Sequence, residues 1–249
     1  MVRVVKMRYL IDFSYSGADF YGYQKQKGLR TIQGEIEKVL GSINDCSVNI
    51  YASGRTDAKV NALHQMAHFD LNKHIEPNKL KRALNSYLPR DIYINDVNIV
   101  NDDFHARYMA KSKTYEYNIN MGVYNPLLRT HVYQYCKPLN IKKMKEAIKY
   151  FIGTHDFTTF TCAEDKRTDK IRTIKNANIF EKDGILSITF LGNGFLKYQV
   201  RNMVGLLIRV GEEKVSPDVI PSLFERKDRR EIGLTAPASG LTLLKVTYE

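Results

Sequence analysis

Apolar and polar positions along the chain change period several times, and each change marks an element. From Arg8 to Tyr15 the pattern alternates, with Tyr9, Ile11, Phe13 and Tyr15 on one face, which predicts a half-buried strand. A glycine-punctuated aromatic loop follows, Ser16-Gly-Ala-Asp-Phe-Tyr-Gly-Tyr-Gln24. Thr31 is then placed as an N-cap, and Ile32, Ile36, Val39, Leu40 and Ile43 recur at helical spacing. Val48–Ala52 and Gln65–Leu71 read as strands. Pro77 opens a helix with a stripe of Leu80, Ala83, Leu84, Tyr87 and Leu88, and Leu88-Pro89 stops it. Ile92, Ile94, Val97 and Ile99 predict a strand broken by a bulge between Ile94 and Val97. The order β-α-β-β-α-β is that of a ferredoxin-like unit.

After the polar junction Asn101-Asp102-Asp103 the order repeats. Lys111–Asn118 alternates through Tyr115 and Tyr117, and Asn140 caps a helix carrying Met144, Ala147, Ile148, Phe151 and Ile152. Arg172–Phe180 and Ile185–Leu191 form a hairpin across Asp183-Gly184. Leu196–Val210 is the most apolar helix, a short extra helix starts at Ser216-Pro217, and Leu241–Tyr248 closes the fold. The expected class is α+β, with two ferredoxin-like units (1–104 and 105–249), a joined mixed or antiparallel sheet, and a central active-site cleft.

Charge changes the picture most. The net charge of +11 favours a polyanionic partner, with RNA or DNA first. Sixteen tyrosines and eleven phenylalanines supply rings on which unstacked bases can lie, although most belong to the core. Three scattered cysteines suit a reducing cytoplasm and exclude a simple disulfide frame. His64 and His68 have i,i+4 spacing but sit in packing sequence, so no metal site is expected there. The run Met1–Met7 is too short for a signal peptide, and no stretch approaches a membrane span.

The stretch with the most chemistry is Tyr51-Ala-Ser-Gly-Arg-Thr-Asp-Ala58. Arg55 and Asp57, two residues apart in an extended segment, can share one face. An arginine beside a carboxylate keeps it ionised and oriented, as nucleophilic catalysis by an aspartate requires. A lone Arg-x-Asp also suits a structural ion pair at a strand end. Tyr115 begins a strand near Arg107, Lys111 and Lys113; a core tyrosine is the plainer reading. Arg201 interrupts the apolar helix, which suits either a guanidinium facing a cleft or a carboxylate, or one at the helix edge whose stem covers apolar surface.

Tyr51 to His68 resembles the signature of TruA-type tRNA pseudouridine synthases, with their G-R-T-D-A-G-V-H-A-like loop. Phe20-Tyr-Gly-Tyr-Gln24 is similar to that family's F-x-G-W-Q, Thr31-Ile-Gln33 to S/T-x-Q, and Asn85–Pro89 to N-x-x-L-P. Asp102-Asp-Phe-His-Ala-Arg107 resembles D-D-F-H-A-R, Tyr115-Glu-Tyr117 Y-x-Y, and Phe157-Thr-Thr-Phe160 F-x-x-F. Val200-Arg-Asn-Met-Val-Gly205 resembles V-R-N-x-V-G, and Gly240-Leu241 the closing G-L. The matches keep their order along most of the chain.

The resemblance implies an isomerase that detaches uracil from ribose, turns it and rejoins it through carbon, with neither metal nor redox cofactor. On the matching positions Asp57 is the catalytic aspartate, acting as nucleophile or removing a sugar proton. Arg55 or Arg201 pairs with it and helps hold the flipped nucleotide. Tyr115 stacks on the uracil and assists its later deprotonation, Leu241 packs beside the pocket, and Arg107 and Lys111 belong to the substrate-binding surface. The implied partner is tRNA, at positions 38 to 40 of the anticodon stem-loop, bound by a cytoplasmic homodimer that shares one tRNA between subunits. The sequence departs from the pattern at Lys59 and Asn61, where Gly and His are usual, and at Tyr23, where Trp is usual. A paralogue acting on ribosomal RNA, a non-catalytic RNA-binding protein and a nucleoside or glycoside hydrolase are the alternatives. The last wants two acids, and the motif offers one.

Overall fold

The computed structural model describes residues 6–248. Of the N-terminal run Met1–Met7, only Lys6 and Met7 fall within these. In chain order the elements are β1 (Met7–Tyr15), α1 (Ile32–Asn44), β2 (Tyr51–Ala52), β3 (Asn61–Leu71), α2 (Pro77–Tyr87) and β4 (Ile92–Ile99). They continue as β5 (Ser112–Asn120), β6 (Tyr133–Gln134), α3 (Ile141–Ala147), β7 (Gly153–Asp156), β8 (Ile171–Lys182) and β9 (Ile185–Gly192). The last are α4 (Gln199–Gly211), α5 (Val219–Arg226) and β10 (Leu241–Thr247). The chain forms two compact units, one ending at Lys111 and taking in the segment from Leu243, the other Ser112–Thr242.

The sheet of the first unit has the order β4-β1-β3-β10, and β2 also pairs with β3. β1 runs antiparallel to both β3 and β4. Tyr9, Ile11 and Phe13 are wholly buried, each worth about 1.5–3 kcal/mol against exposure. The expected bulge is present: Asp12 faces Asp96 and Phe13 faces Ile94, leaving Asn95 extra on β4. Asn85 holds that strand from α2, accepting from the Ile94 N–H at 2.7 Å and donating to its carbonyl at 3.0 Å. Thr31 caps α1 as expected, its hydroxyl accepting from the Gly34 N–H.

Some expectations are corrected. Of Val48–Ala52 only Tyr51 and Ala52 join the ladder, although Val48 and Ile50 are buried. β3 begins at Asn61, earlier than alternation suggested, because Asn61, Ala62, Leu63 and His64 do not alternate in polarity. Tyr87 leaves the α2 stripe, being 72% exposed at the helix end.

In the second unit the order is β5-β9-β8-β7, with the short β6 parallel to β5. Asp183 and Gly184 both have positive φ, as a tight hairpin between right-twisted strands requires. Phe151, Phe157 and Phe160 are wholly buried, and Phe224 packs edge-on against Phe151 and Phe157, making the F-x-x-F motif part of an aromatic core. Ile152, expected on the buried side of α3, is instead 41% exposed, because the chain has left helical geometry there. α4 starts at Gln199 rather than Leu196, since Tyr198 takes a left-handed conformation just before it.

Candidate active site

The loop that carries Asp57 is fixed from outside. Thr56 is buried, and its hydroxyl meets that of Tyr15 at 2.7 Å. Burial pushes the Tyr15 phenol up to about 12, so it stays protonated. The Thr56 carbonyl accepts from the Tyr23 N–H at 3.1 Å. Gly22 sits at φ +97 against this segment, where an added Cβ would lie 3.1 Å from the Thr56 carbonyl oxygen. The preceding bend is held by Gln65, which accepts from the Ser53 hydroxyl at 2.7 Å and donates to the Gly54 carbonyl at 3.0 Å.

Asp57 is half-buried and opens a turn closed by the Val60 N–H donating to its carbonyl at 3.2 Å. Lys59 is the third residue of that turn, at φ +65. A lysine there costs about 1–2 kcal/mol relative to glycine. The departure anticipated from the sequence is therefore met by strain: the backbone keeps a glycine-like conformation with a charged side chain on it. The Lys59 N–H donates to the Phe20 carbonyl at 3.3 Å, and Asn61 accepts from the Gly17 N–H at 2.8 Å. Tyr23, the third departure, is 3% exposed, and among the described residues its hydroxyl has no hydrogen-bond partner.

Arg55 is exposed beside this loop, and Arg107 and Lys111 are exposed in the same unit. The segment bearing Arg107 is tied down by Arg8, which pairs with Asp70 at 2.7 and 2.9 Å and donates to the carbonyls of Asp102 and Phe104. Here the structure assembles a group of rings that no local sequence pattern marks. Tyr51 stacks on His68 at 5.2 Å, His105 lies 4.7 Å from His68, and Tyr108 lies 4.2 Å from His105. Tyr51 and Tyr108 are exposed, placing a ring ladder beside the cations of this segment.

His68 is a structural member of that ladder, its Nδ1 accepting from the Ala106 N–H at 3.1 Å. Burial, then the neighbouring His105 and Arg8, hold its pKa down at about 4. An unfolded chain takes up that proton near the ordinary value of about 6.5. Between these values the unfolded state binds more protons, so stability falls as pH falls through the window. Chemical denaturation between pH 7 and pH 4 is expected to show this loss, at most about 1.4 kcal/mol per pH unit from this group. His68→Gln should flatten that slope; an unchanged slope would remove the assignment.

In the second unit Tyr115 is 8% exposed on β5, with Phe195 edge-on to its ring at 5.2 Å. Leu241, 6% exposed, follows the turn at Gly240. Arg201 is half-buried on α4, its Nε donating to the Ala236 carbonyl at 2.7 Å and its guanidinium 5.0 Å from the Tyr198 ring. The Arg201 carbonyl in turn accepts from the Ala236 N–H at 3.0 Å. Tyr198 and Ala236 thus set where this guanidinium lies, and neither carried a sequence signal. Asn202 beside it is wholly buried, donating to the Phe160 carbonyl and accepting from Arg229 and Thr235, so it fastens the fold.

The chain belongs to the tRNA pseudouridine synthase family, whose family model matches residues 13–109 and 147–249. It is an isomerase of that family. A protein of Geobacillus sp. (strain WCH70) named tRNA pseudouridine synthase A is 44% identical over 238 residues, covering 95% of this chain and 96% of that one. A Streptococcus equi subsp. equi (strain 4047) protein of the same name is 44% identical over 246 residues, covering 97% and 99%. A Streptococcus pneumoniae (strain P1031) protein, again of that name, is 42% identical over 246 residues with the same coverage.

Proposed function

We propose that this chain converts uridine to pseudouridine in the anticodon stem-loop of tRNA, with Asp57 as the catalytic carboxylate. In that reaction the N1–C1′ bond breaks, the uracil turns, C5 bonds to C1′ and loses its proton, and N1 gains one. Asp57 either attacks the nucleotide or removes a sugar proton. Arg55 or Arg201 pairs with the carboxylate and helps hold the flipped nucleotide in place. Tyr115 stacks on the uracil, Leu241 walls the pocket, and Arg107 and Lys111 bind the RNA backbone.

The observation that carries this reading is the clamped turn at Asp57: a half-buried aspartate on a segment whose backbone is hydrogen-bonded before, at and after it. A preorganised group of this kind acts without reorganising during reaction. Extruding a stacked base costs a few kcal/mol, and stacking on an aromatic ring returns about 1–3 kcal/mol. The net charge of +11 supplies the phosphate affinity. A cytoplasmic homodimer sharing one tRNA is part of the same proposal.

The test is to incubate the protein with unmodified total tRNA and ribosomal RNA, then map new pseudouridines by chemical labelling and sequencing. New sites confined to the anticodon stem-loop are expected. New sites in ribosomal RNA alone would move the substrate, and none in either would remove the proposal.

A further inference from the structure

Seven non-glycine residues among those described have positive φ: Asp45, Lys59, Cys136, Asp183, Tyr198, Glu213 and Lys227. Asp45 and Lys227 close α1 and α5, and Glu213 lies just past α4, where a left-handed residue ends a helix. Asp183 belongs to a hairpin turn and Tyr198 precedes α4. Cys136 follows β6, its N–H donating to the Asn120 carbonyl at 2.8 Å. Lys59 ends no helix and joins no hairpin. It stands inside the turn that begins at Asp57, in the pattern of a type II turn, which favours glycine or asparagine at this position.

The conformation is imposed rather than chosen by the lysine. The Phe20 carbonyl takes its N–H, the Val60 N–H closes the turn, and Gly17 lies directly against the Val60 carbonyl. Packing does not explain the side chain, which is exposed, and no carboxylate pairs with it among the described residues. An unpaired ammonium on a strained turn, two residues from the proposed catalytic carboxylate, has the chemistry to meet a phosphate. Lysine binds phosphate as a compact point charge on a long flexible stem.

We propose that Lys59 is a phosphate-binding residue of the RNA site, gripping the backbone next to the nucleotide that Asp57 acts on. The assignment rests on the reading of the function given above. It is a binding role peculiar to a chain that carries lysine at this turn, and its contribution falls on affinity rather than on the chemical step.

Lys59→Gly, Lys59→Asn and Lys59→Arg would be compared with the natural chain on an unmodified tRNA transcript. Three quantities are read: melting temperature, Kd for labelled RNA by anisotropy at several salt concentrations, and KM with kcat. Lys59→Gly is expected to melt higher by roughly 2–8 °C, because glycine relieves the backbone. Its Kd and KM should nevertheless rise about 3- to 10-fold, with a smaller change in kcat, and the salt slope should shrink by about one. Lys59→Asn should weaken binding likewise, and Lys59→Arg should restore it. Natural Kd and salt slope in Lys59→Gly would overturn the proposal, as would Lys59→Arg binding no better than Lys59→Gly. The anisotropy measurement reads Lys59 whether or not turnover occurs. Absence of pseudouridine from the natural chain would therefore count against the function and not against this residue.

Discussion

Asparagine at position 57 is expected to leave a folded protein that binds tRNA and forms no pseudouridine. The substitution keeps the size of the side chain and removes its charge, so neither nucleophilic attack nor proton removal remains available. General-base or nucleophilic roles are worth at least about a hundredfold, and loss of the proposed catalytic carboxylate should exceed roughly a thousandfold. The fold should tolerate the change. The turn is held by the carbonyls of Phe20, Thr56 and Asp57 and by the side chains of Tyr15 and Asn61. Single-turnover pseudouridine formation, thermal melting and tRNA affinity, measured together, separate lost chemistry from lost structure. Turnover within tenfold of the natural chain would end the assignment of Asp57.

Gly17→Ala is expected to damage stability and activity together. A Cβ there would fall 2.1 Å from the Val60 carbonyl oxygen, 2.7 Å from its carbon and 2.9 Å from the Lys59 carbonyl carbon. These are backbone atoms, so relief requires moving the turn that carries Asp57. Overpacking of this kind costs about 1–3 kcal/mol, and each kcal/mol lowers the melting temperature by roughly 2–4 °C in a chain of this size. A displacement of about 1 Å at a reacting group costs on the order of a hundredfold in rate. Gly41→Ala is the control: its nearest neighbour would be the Cys46 carbonyl at 3.6 Å, within helix α1. It should be neutral or slightly stabilising. Gly17→Ala with natural melting and rate would mean that the turn is not held from this side.

The matched motifs divide by what they do in the folded chain. Thr31, Asn85, Phe157, Phe160 and Asn202 cap, clamp or fill. Arg55 and Arg107 point to solvent, and Asp57 is half-buried. Both kinds of residue are constrained, and a motif string does not distinguish them. Burial and hydrogen-bond partners do. Helices and strands with a sustained period were legible from residue order, the β4 bulge included. Tyr87 and Ile152 depart from the stripes that helical spacing predicts because an apolar side chain at a helix end has no neighbouring turn to cover it. β2 is shorter than its apolar run predicts because Val48 and Ile50 bury their side chains without joining the ladder.

Residue order alone established the longer helices and strands in their order and the strongly basic character, since both follow from local pattern or from sums over the chain, while the short strands β6 and β7 carried too little pattern to be read. It could not establish that Gly17 and Phe20 grip the turn at Lys59, that Lys59 is held left-handed, or that Tyr198 and Ala236 position Arg201. Those facts depend on backbone groups brought together from distant parts of the chain. A peptide carbonyl looks the same in every residue's letter until folding decides what it faces.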